Sequence, residues 1–404
     1  EEVLVTVMRY HQKYFALQRA DGSLAPNFIA VMNTAADPEG LVRSGNERVL
    51  RARFNDARFF WEVDQKRSLA QRVDSLAAVT FQAKLGNYLE KTHRVVAKAG
   101  DLAAMAGVDP ASVQRAALLS KCDLTTELVK EFTELQGIIG GLYARHQGEA
   151  PDVAQAIYDQ YKPVSMEAVI PSTLTGQLLS LADKADTLAG CFSIGLIPKG
   201  SSDPFALRRA AQGIVRILAE GEAKLSLEAF YGKDATLMEF FKDRVRYYYR
   251  DVRGFAYDEV NAVMAAGFAD LMDVGQRLRA LRKVRVGKDF EPIAASFKRI
   301  KNILRQAEFA GGAVSQSLLA EGAEQALYTD FQRVRQTVSA FRDRGDYDGA
   351  LEAIASMRPA IDAFFDQVLV NASDEQVRLN RLSLLHEMMT EVSAIADFSE
   401  IVTK

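Results

Sequence analysis

Two cysteines in 404 residues, Cys122 and Cys191, lying far apart in apolar settings, exclude a disulfide framework and a zinc ribbon. They read as two buried small hydrophobes and suit a reducing cytoplasm. Histidine is nearly as scarce. The four histidines, His11, His93, His146 and His386, are scattered, and none stands four residues from another or from a partner ligand, so they read as packed or exposed rather than catalytic. There is no P-loop, no dinucleotide fingerprint, no G-x-S-x-G elbow and no H-E-x-x-H, and the HIGH-type and KMSKS-type pair of class I synthetases is absent. No apolar run reaches the roughly eighteen residues needed to cross a bilayer, and no signal peptide or lipidation motif opens the chain. A formal net charge of −3 argues against a general polyanion binder.

What is present is ordinary soluble composition, 48% hydrophobic and 25% charged, on a chain long enough for several domains. The opening stretch "EEVLVTVMRYHQKYFAL" alternates Val3, Val5 and Val7 and predicts a strand, with "NFIAVMN" as a second strand beyond the turn-like "RADGSLAP". The first strand has neither a preceding partner nor a turn, and Glu1 is not an initiator, so a longer protein is expected upstream. From Leu41 the pattern turns helical, with Val49, Leu50, Ala52, Phe54, Ala57, Phe59 and Phe60 available to one broad face.

Helix after helix follows, broken by "AGVDP", "HQGEAPD", "KPVSMEAVIPS" and "IPKGSSDP". Asp152 after Pro151 and Asp203 before Pro204 predict helix starts, the acid accepting from free amides. "GLIPKGSSDPFALRR" could offer amides to an anion, but its spacing is not that of a P-loop and a structural loop entering a capped helix is the favoured reading. No period recurs, which disfavours a solenoid.

Charge is unevenly placed. Between Arg277 and Arg305 stand ten basic residues (Arg277, Arg279, Arg282, Lys283, Arg285, Lys288, Lys298, Arg299, Lys301, Arg305) against Asp289 and Glu291. That local excess of eight, with Phe290 and Phe297 placed to pack or stack, has the footprint of phosphate contacts; the alternative is a solvated helix face. "DRVRYYYRDVRG" is a second basic stretch, in which Arg244, Arg246, Arg250 and Arg253 flank Tyr247, Tyr248 and Tyr249. Exposed, those rings would suit single-stranded RNA; at least two of the three are expected to face the core. "AALLSKCDLTTELVKEF" and "LADKADTLAGCF" place the acids Asp123, Asp183 and Asp186 inside apolar helical patterns, as a metal-dependent hydrolase would.

The stretches "MRYHQKYFAL", "NFIAVMN", "SGNERVLRARFNDARFFWEVD", "LLSKCDLTTELVKEFTELQGIIGGLYA", "ADKADTLAGCFSIGLIPKGSSDPFALRRAAQGIVRIL", "FKRIKNIL" and "IDAFFDQVLVNASDEQVRLNRLSLL" together resemble the β subunit of the bacterial tetrameric glycyl-tRNA synthetase, end to end and in order. The resemblance implies a mainly α, multi-domain chain. Residues 1–66 would be a short α/β remnant of the N-terminal region and 67–220 a degenerate helical domain of the HD phosphohydrolase type. Residues 221–290 would be a helical linker or body, and 291–404 a helical domain similar to the anticodon-binding domain of arginyl-type synthetases. It further implies tRNA binding, with glycine tRNA and a catalytic α subunit as partners in an α2β2 assembly. Neither membrane nor DNA is expected as a partner, and the setting would be cytoplasmic. The adenylate-forming site, with its ATP and Mg, would lie in the α subunit, and no cofactor is expected in this chain.

On this reading Lys298, Arg299, Lys301, Asn302 and Arg305, with Arg282, Lys283, Arg246 and Arg250, would meet tRNA. Lys121 and Cys122, followed by Asp123, stand where an HD enzyme carries adjacent His and Asp. With Asp183 and Asp186 they are expected to form a structural polar network and no metal centre. Two rival functions are an HD-type metal-dependent phosphohydrolase and a purely architectural assembly subunit.

Overall fold

In a computed structural model, which describes every residue except 35, 233, 289, 403 and 404, the chain forms two compact units. Asp289, one of the two acids in the basic stretch, lies outside the described residues. The first unit comprises Glu1–Ile217 and Gly221–Leu225, and the second Leu218–Glu220 and Ser226–Lys404. The structure is mainly helical; the strands are confined to two small hairpins.

The N-terminus departs from the expected strand. Glu2–Thr6 is a helix, α1, continued by a wide π turn over Val7–Gln12; only then comes β1, Phe15–Gln18, paired antiparallel with β2, Leu24–Ile29. The valines that alternate also fall at helical spacing: Val3 and Val7 are four apart, and Val7 and Met8 are buried. A hairpin forms where one was expected, turned by Asp21, whose carboxylate accepts from the Ser23 amide at 2.9 Å, and by Gly22 at φ +83°. Its second strand, β2, begins at Leu24, inside the expected turn, and ends at Ile29, so the last four residues of "NFIAVMN" lie outside it.

Helix α2, Leu41–Asp64, starts at the expected residue but does not bury the expected face. Leu50, Ala57 and Asp64, seven apart, are its buried positions, whereas Val49 is 45% and Phe59 60% exposed. A narrow line therefore docks this helix. Short α3, Leu69–Arg72, and the hairpin of β3, Thr80–Gln82, and β4, Gly86–Asn87, lead into a helical bundle. The bundle contains α4 (Tyr88–Met105), α5 (Pro110–Leu119), α6 (Glu127–Glu131), α7 (Ile138–His146), α8 (Pro151–Asp159) and α9 (Leu174–Ser193).

Helix ends follow the capping chemistry of their sequences. Asn87 and Glu90 form a reciprocal capping box on α4, Asp109 caps α5 with Pro110 behind it, and Thr173 caps α9. Asp152 is the exception: α8 starts at Pro151, yet the Asp152 carboxylate accepts from the Thr175 hydroxyl, tying α8 to α9. Asp203 acts as expected, accepting from the Leu207 amide at 2.8 Å and the Arg208 amide at 2.9 Å at the start of α10, Leu207–Glu220. Those amides, which could have met an anion, are thus taken by the chain's own carboxylate. Packed against α4, α5 and α8, α9 is the centre of the unit, buried at nearly every position from Thr175 to Asp186.

The second unit opens with α11 (Glu228–Tyr231) and α12 (Ala235–Tyr247), which runs into a π turn over Tyr248–Val252. Helices α13 (Tyr257–Ala265) and α14 (Leu271–Arg285) follow, then α15 (Phe290–Gln306), α16 (Ala323–Arg342), α17 (Tyr347–Ala355), α18 (Arg358–Gln367) and α19 (Glu375–Ser393). Phe398 packs edge-on against both Phe290 and Phe297 of α15. The C-terminal segment also returns to α13: the Asp397 amide donates to the Ala262 carbonyl and the Val402 amide to Asp258. Among the described residues no helix is long and apolar enough to cross a membrane.

Candidate nucleic-acid interface

Helix α15 buries Phe290, Ile293, Ala294, Phe297, Ile300 and Leu304, a broad apolar stripe at helical spacing. The stripe forces the basic residues outward. Lys298, Asn302 and Arg305, at intervals of four and three, share one exposed face. Arg305 donates to the Asn302 side-chain oxygen at 3.1 Å, which leaves the Asn302 amide nitrogen pointing to solvent as a donor. The Arg299 guanidinium stacks on the Phe365 ring of α18, 4.0 Å from its centre. Lys298, Arg299 and Arg305 meet no carboxylate among the described residues. Phe290 and Phe297 are core side chains and offer no stacking surface.

Lys301 departs from its expected role. Its ammonium lies 2.8 Å from Asp397 and 2.8 Å from the Ser399 hydroxyl, which ties it to the chain end. Burial works against the Asp397 carboxylate, but the bonds from Lys301 and Ser399 hold it below its ordinary pKa.

The sequence-local excess of eight positive charges is likewise partly cancelled in space. Arg277 is buried and bonded to Asp273 at 2.7 Å, Lys283 meets Asp348 at 2.6 Å, and Arg285 meets Asp258 at 2.7 Å. Arg282 lies over the Phe255 ring at 3.8 Å, donates to the Gly254 carbonyl at 2.7 Å and has Glu259 3.7 Å away. In the second basic stretch Arg246 meets Asp243 at 3.3 Å and Arg250 meets Asp251 at 2.9 Å. Tyr248 and Tyr249 are buried and Tyr247 is 41% exposed, which matches the expectation that two of the three rings face the core. Among the described residues, Lys298, Arg299 and Arg305 of α15 therefore carry positive charge without an acid beside them, as do Arg253 and Arg279 elsewhere in the unit.

The acids of the first unit build a different site. Lys121 lies 2.9 Å from one Asp183 oxygen and Lys91 3.1 Å from the other; Lys91 also reaches Asp186 at 3.1 Å, and Arg94 meets Asp186 at 2.8 Å. The ammonium groups are held from behind by rings, Lys91 over Phe81 at 4.6 Å and Lys121 over Tyr161 at 4.1 Å. Burial alone would raise the Asp183 carboxyl, but Lys121 and Lys91 hold it well below the usual carboxylate range. Asp123 is separate. It is fully buried, accepts from the Gly137 amide at 2.5 Å, has one oxygen without a partner, and burial pushes its pKa up to about 6. Burial also pushes the Cys122 thiol up to about 12, so it is no nucleophile at neutral pH.

This donor set does not fit a divalent metal ion. One Asp183 oxygen accepts from Lys121 at 2.9 Å and the other, though without a hydrogen-bond partner, lies 3.1 Å from the Lys91 ammonium, so a third positive centre there would meet strong repulsion from both. No group of three metal-ligating side chains occurs among the described residues. Lys91, Arg94 and Lys184 escaped the reading of the sequence. Lys184 donates to the Lys162 carbonyl at 2.9 Å and to Ser180, and burial lowers its pKa to about 7. Single lysines in amphipathic helices look like surface residues, and only the apolar run on both sides of Lys184 hinted otherwise.

Residues 293–396, the bundle that carries the α15 face, match the family profile described as the DALR anticodon binding domain. The chain is thus of the class that carries an anticodon-binding-type helical module. Residues 1–265 match the profile described as glycyl-tRNA synthetase beta subunit. A protein of Acidobacterium capsulatum named glycine–tRNA ligase beta subunit is 52% identical over 430 residues, covering 100% of this chain and 61% of the relative. Proteins of the same name from Desulforapulum autotrophicum and Ralstonia nicotianae are 42% and 43% identical over 99% of the chain, covering 61% and 59% of the relatives. The chain belongs to the glycyl-tRNA synthetase beta subunit family. It spans about three fifths of the length of these relatives.

Proposed function

We propose that the chain is the tRNA-holding portion of a glycine–tRNA ligase, working with a separate α subunit that carries the adenylate-forming site and uses ATP and Mg. The overall reaction would join glycine to tRNA(Gly) at the expense of ATP, in the cytoplasm, within an α2β2 assembly. The observation that carries this reading is the α15 face, where Lys298, Arg299 and Arg305 stand without carboxylates inside a module matched to anticodon binding.

In this mechanism the chain makes and breaks no bond. Lys298 and Arg305 neutralise backbone phosphates, which fixes register without reading sequence. Arg299, held flat by Phe365, presents its edge to a phosphate or its open face to a base. The Asn302 amide nitrogen reaches a base edge. Anchoring one end of the tRNA restricts where its acceptor end travels, so the partner's active site meets it at a high effective concentration. The buried Lys91–Asp183–Lys121 centre keeps the first unit rigid and takes no part in chemistry.

Filter binding of the chain to tRNA(Gly), with a scrambled RNA of equal length as control, tests the reading. Preferential retention of tRNA(Gly) is the expected result; equal retention of both, or of neither, rejects it.

A further inference from the structure

Among the described residues of the second unit, Arg253 and Arg279 have neither a carboxylate nor a ring against them, whereas its other arginines are paired, stacked or hydrogen-bonded. Both line one cleft of about 560 Å³, together with Tyr249, Gly275, Arg282 and Glu220. The sequence builds one wall simply. Helix α14 buries Leu271, Val274, Leu278 and Leu281, so Gly275, Arg279 and Arg282, at intervals of four and three, line up along the cleft.

The opposite wall needs the π turn that ends α12. The Arg253 amide donates to the Tyr248 carbonyl at 3.0 Å, Gly254 follows at φ +68°, and the widened turn brings Arg253 into the lining of the same cleft as α14. The Tyr249 hydroxyl donates to the Leu271 carbonyl and forms the floor. A Cβ at Gly275 would stand 3.3 Å from that hydroxyl, a tight contact, and 3.5 Å from the Arg279 guanidinium, so glycine leaves room for the Tyr249 hydroxyl beside the helix. Burial raises the Tyr249 pKa, and the charges of Arg279 and Arg253 act against that rise. Arg282 is pinned at the mouth by Phe255 and the Gly254 carbonyl. Glu220 is the acid lining the cleft, and it accepts from the Tyr248 hydroxyl at 2.9 Å.

Three guanidinium groups against two carboxylates, Glu220 in the lining and Glu259 3.7 Å from Arg282, leave a net positive concavity of small-ligand size, which selects an oxyanion that can take planar paired hydrogen bonds. We propose that Arg253, Arg279 and Arg282 hold a phosphate group. This rests on the RNA-binding reading above, under which the phosphate is one phosphodiester of the bound tRNA; a free phosphate monoester has the same chemistry. The cleft is then a second anchor, distinct in sequence from the α15 face.

The test compares the whole native chain with R253Q/R279Q and R253K/R279K, each checked for native circular dichroism, with R253Q alone in reserve should the double variant not fold. The tRNA(Gly) arm measures affinity across a salt series. R253Q/R279Q is expected to lose about tenfold in affinity and to flatten the slope of log K against log salt by about 0.7–0.9, the share of one phosphate. R253K/R279K is expected to recover the slope but only part of the affinity. The second arm follows inorganic phosphate by 31P line broadening, expected with the native chain and lost in R253Q/R279Q. Unchanged affinity, slope and broadening in R253Q/R279Q overturn the proposal while leaving the α15 reading intact. A native chain that binds no tRNA but broadens phosphate in an Arg253- and Arg279-dependent way sinks the RNA reading and keeps the cleft as a site for free phosphate. Neither tRNA binding nor broadening overturns both.

Discussion

Lys121 and Asp183 form an ion pair at 2.9 Å in the interior of the first unit, and Lys91 closes on the other Asp183 oxygen at 3.1 Å. Breaking a buried pair leaves an uncompensated charge, which costs about 3–5 kcal/mol. Since Lys91 remains beside Asp183, K121A is expected at the lower end, about 3 kcal/mol, and K91A/K121A should cost more than either alone. Urea unfolding of the purified chain measures this. A loss under about 1 kcal/mol for K121A would mean that the pair is not an internal support.

Two other buried groups of the first unit, Asp123 and Lys184, give stability a specific pH dependence. Asp123, raised from 3.8 to about 6, binds its proton more tightly folded than unfolded. Its contribution is therefore present at low pH and is lost as pH rises through about 4 to 6, by up to about 3 kcal/mol for a shift of two units. D123N keeps an acceptor for Gly137 but cannot ionise, so the share of that loss due to Asp123 should be missing from its pH profile. Lys184, lowered from 10.5 to about 7, behaves oppositely. The unfolded state holds that proton between about pH 7 and 10, so stability rises with pH there, and K184M should remove the rise. Denaturant titrations at closely spaced pH values check both slopes.

Lys301 separates a structural lysine from an RNA-binding one. Its bonds to Asp397 and Ser399 are half-exposed, so K301A should lose about 1 kcal/mol of stability while tRNA affinity stays within about twofold. Thermal unfolding and the binding assay, run on one preparation, give both numbers. A large loss of affinity with unchanged stability would return Lys301 to the interface.

How much of this was legible in the sequence depends on the distance over which partners act. The start of α2 at Leu41, the Asp203 cap and the helical build of the rest were readable because periodicity and capping are local. The opening valines were ambiguous, since Val3 and Val7 satisfy an alternating and a helical spacing alike. Charge was misleading because its partners are remote. Lys283 meets an acid 65 residues on and Lys301 one 96 residues on, so counting along the chain could not show which cations stay free. Lys91 was invisible for the same reason, its partner Asp186 lying 95 residues away.

The central claim is that the α15 face holds tRNA through its phosphates. The most direct measurement is the salt dependence of tRNA(Gly) binding by the native chain and by K298A/R299A/R305A. If each cation neutralises one phosphate, the slope of log K against log salt should fall by about two to three and affinity at moderate salt by at least about a hundredfold. A variant with native circular dichroism whose affinity and slope equal those of the native chain would contradict the account.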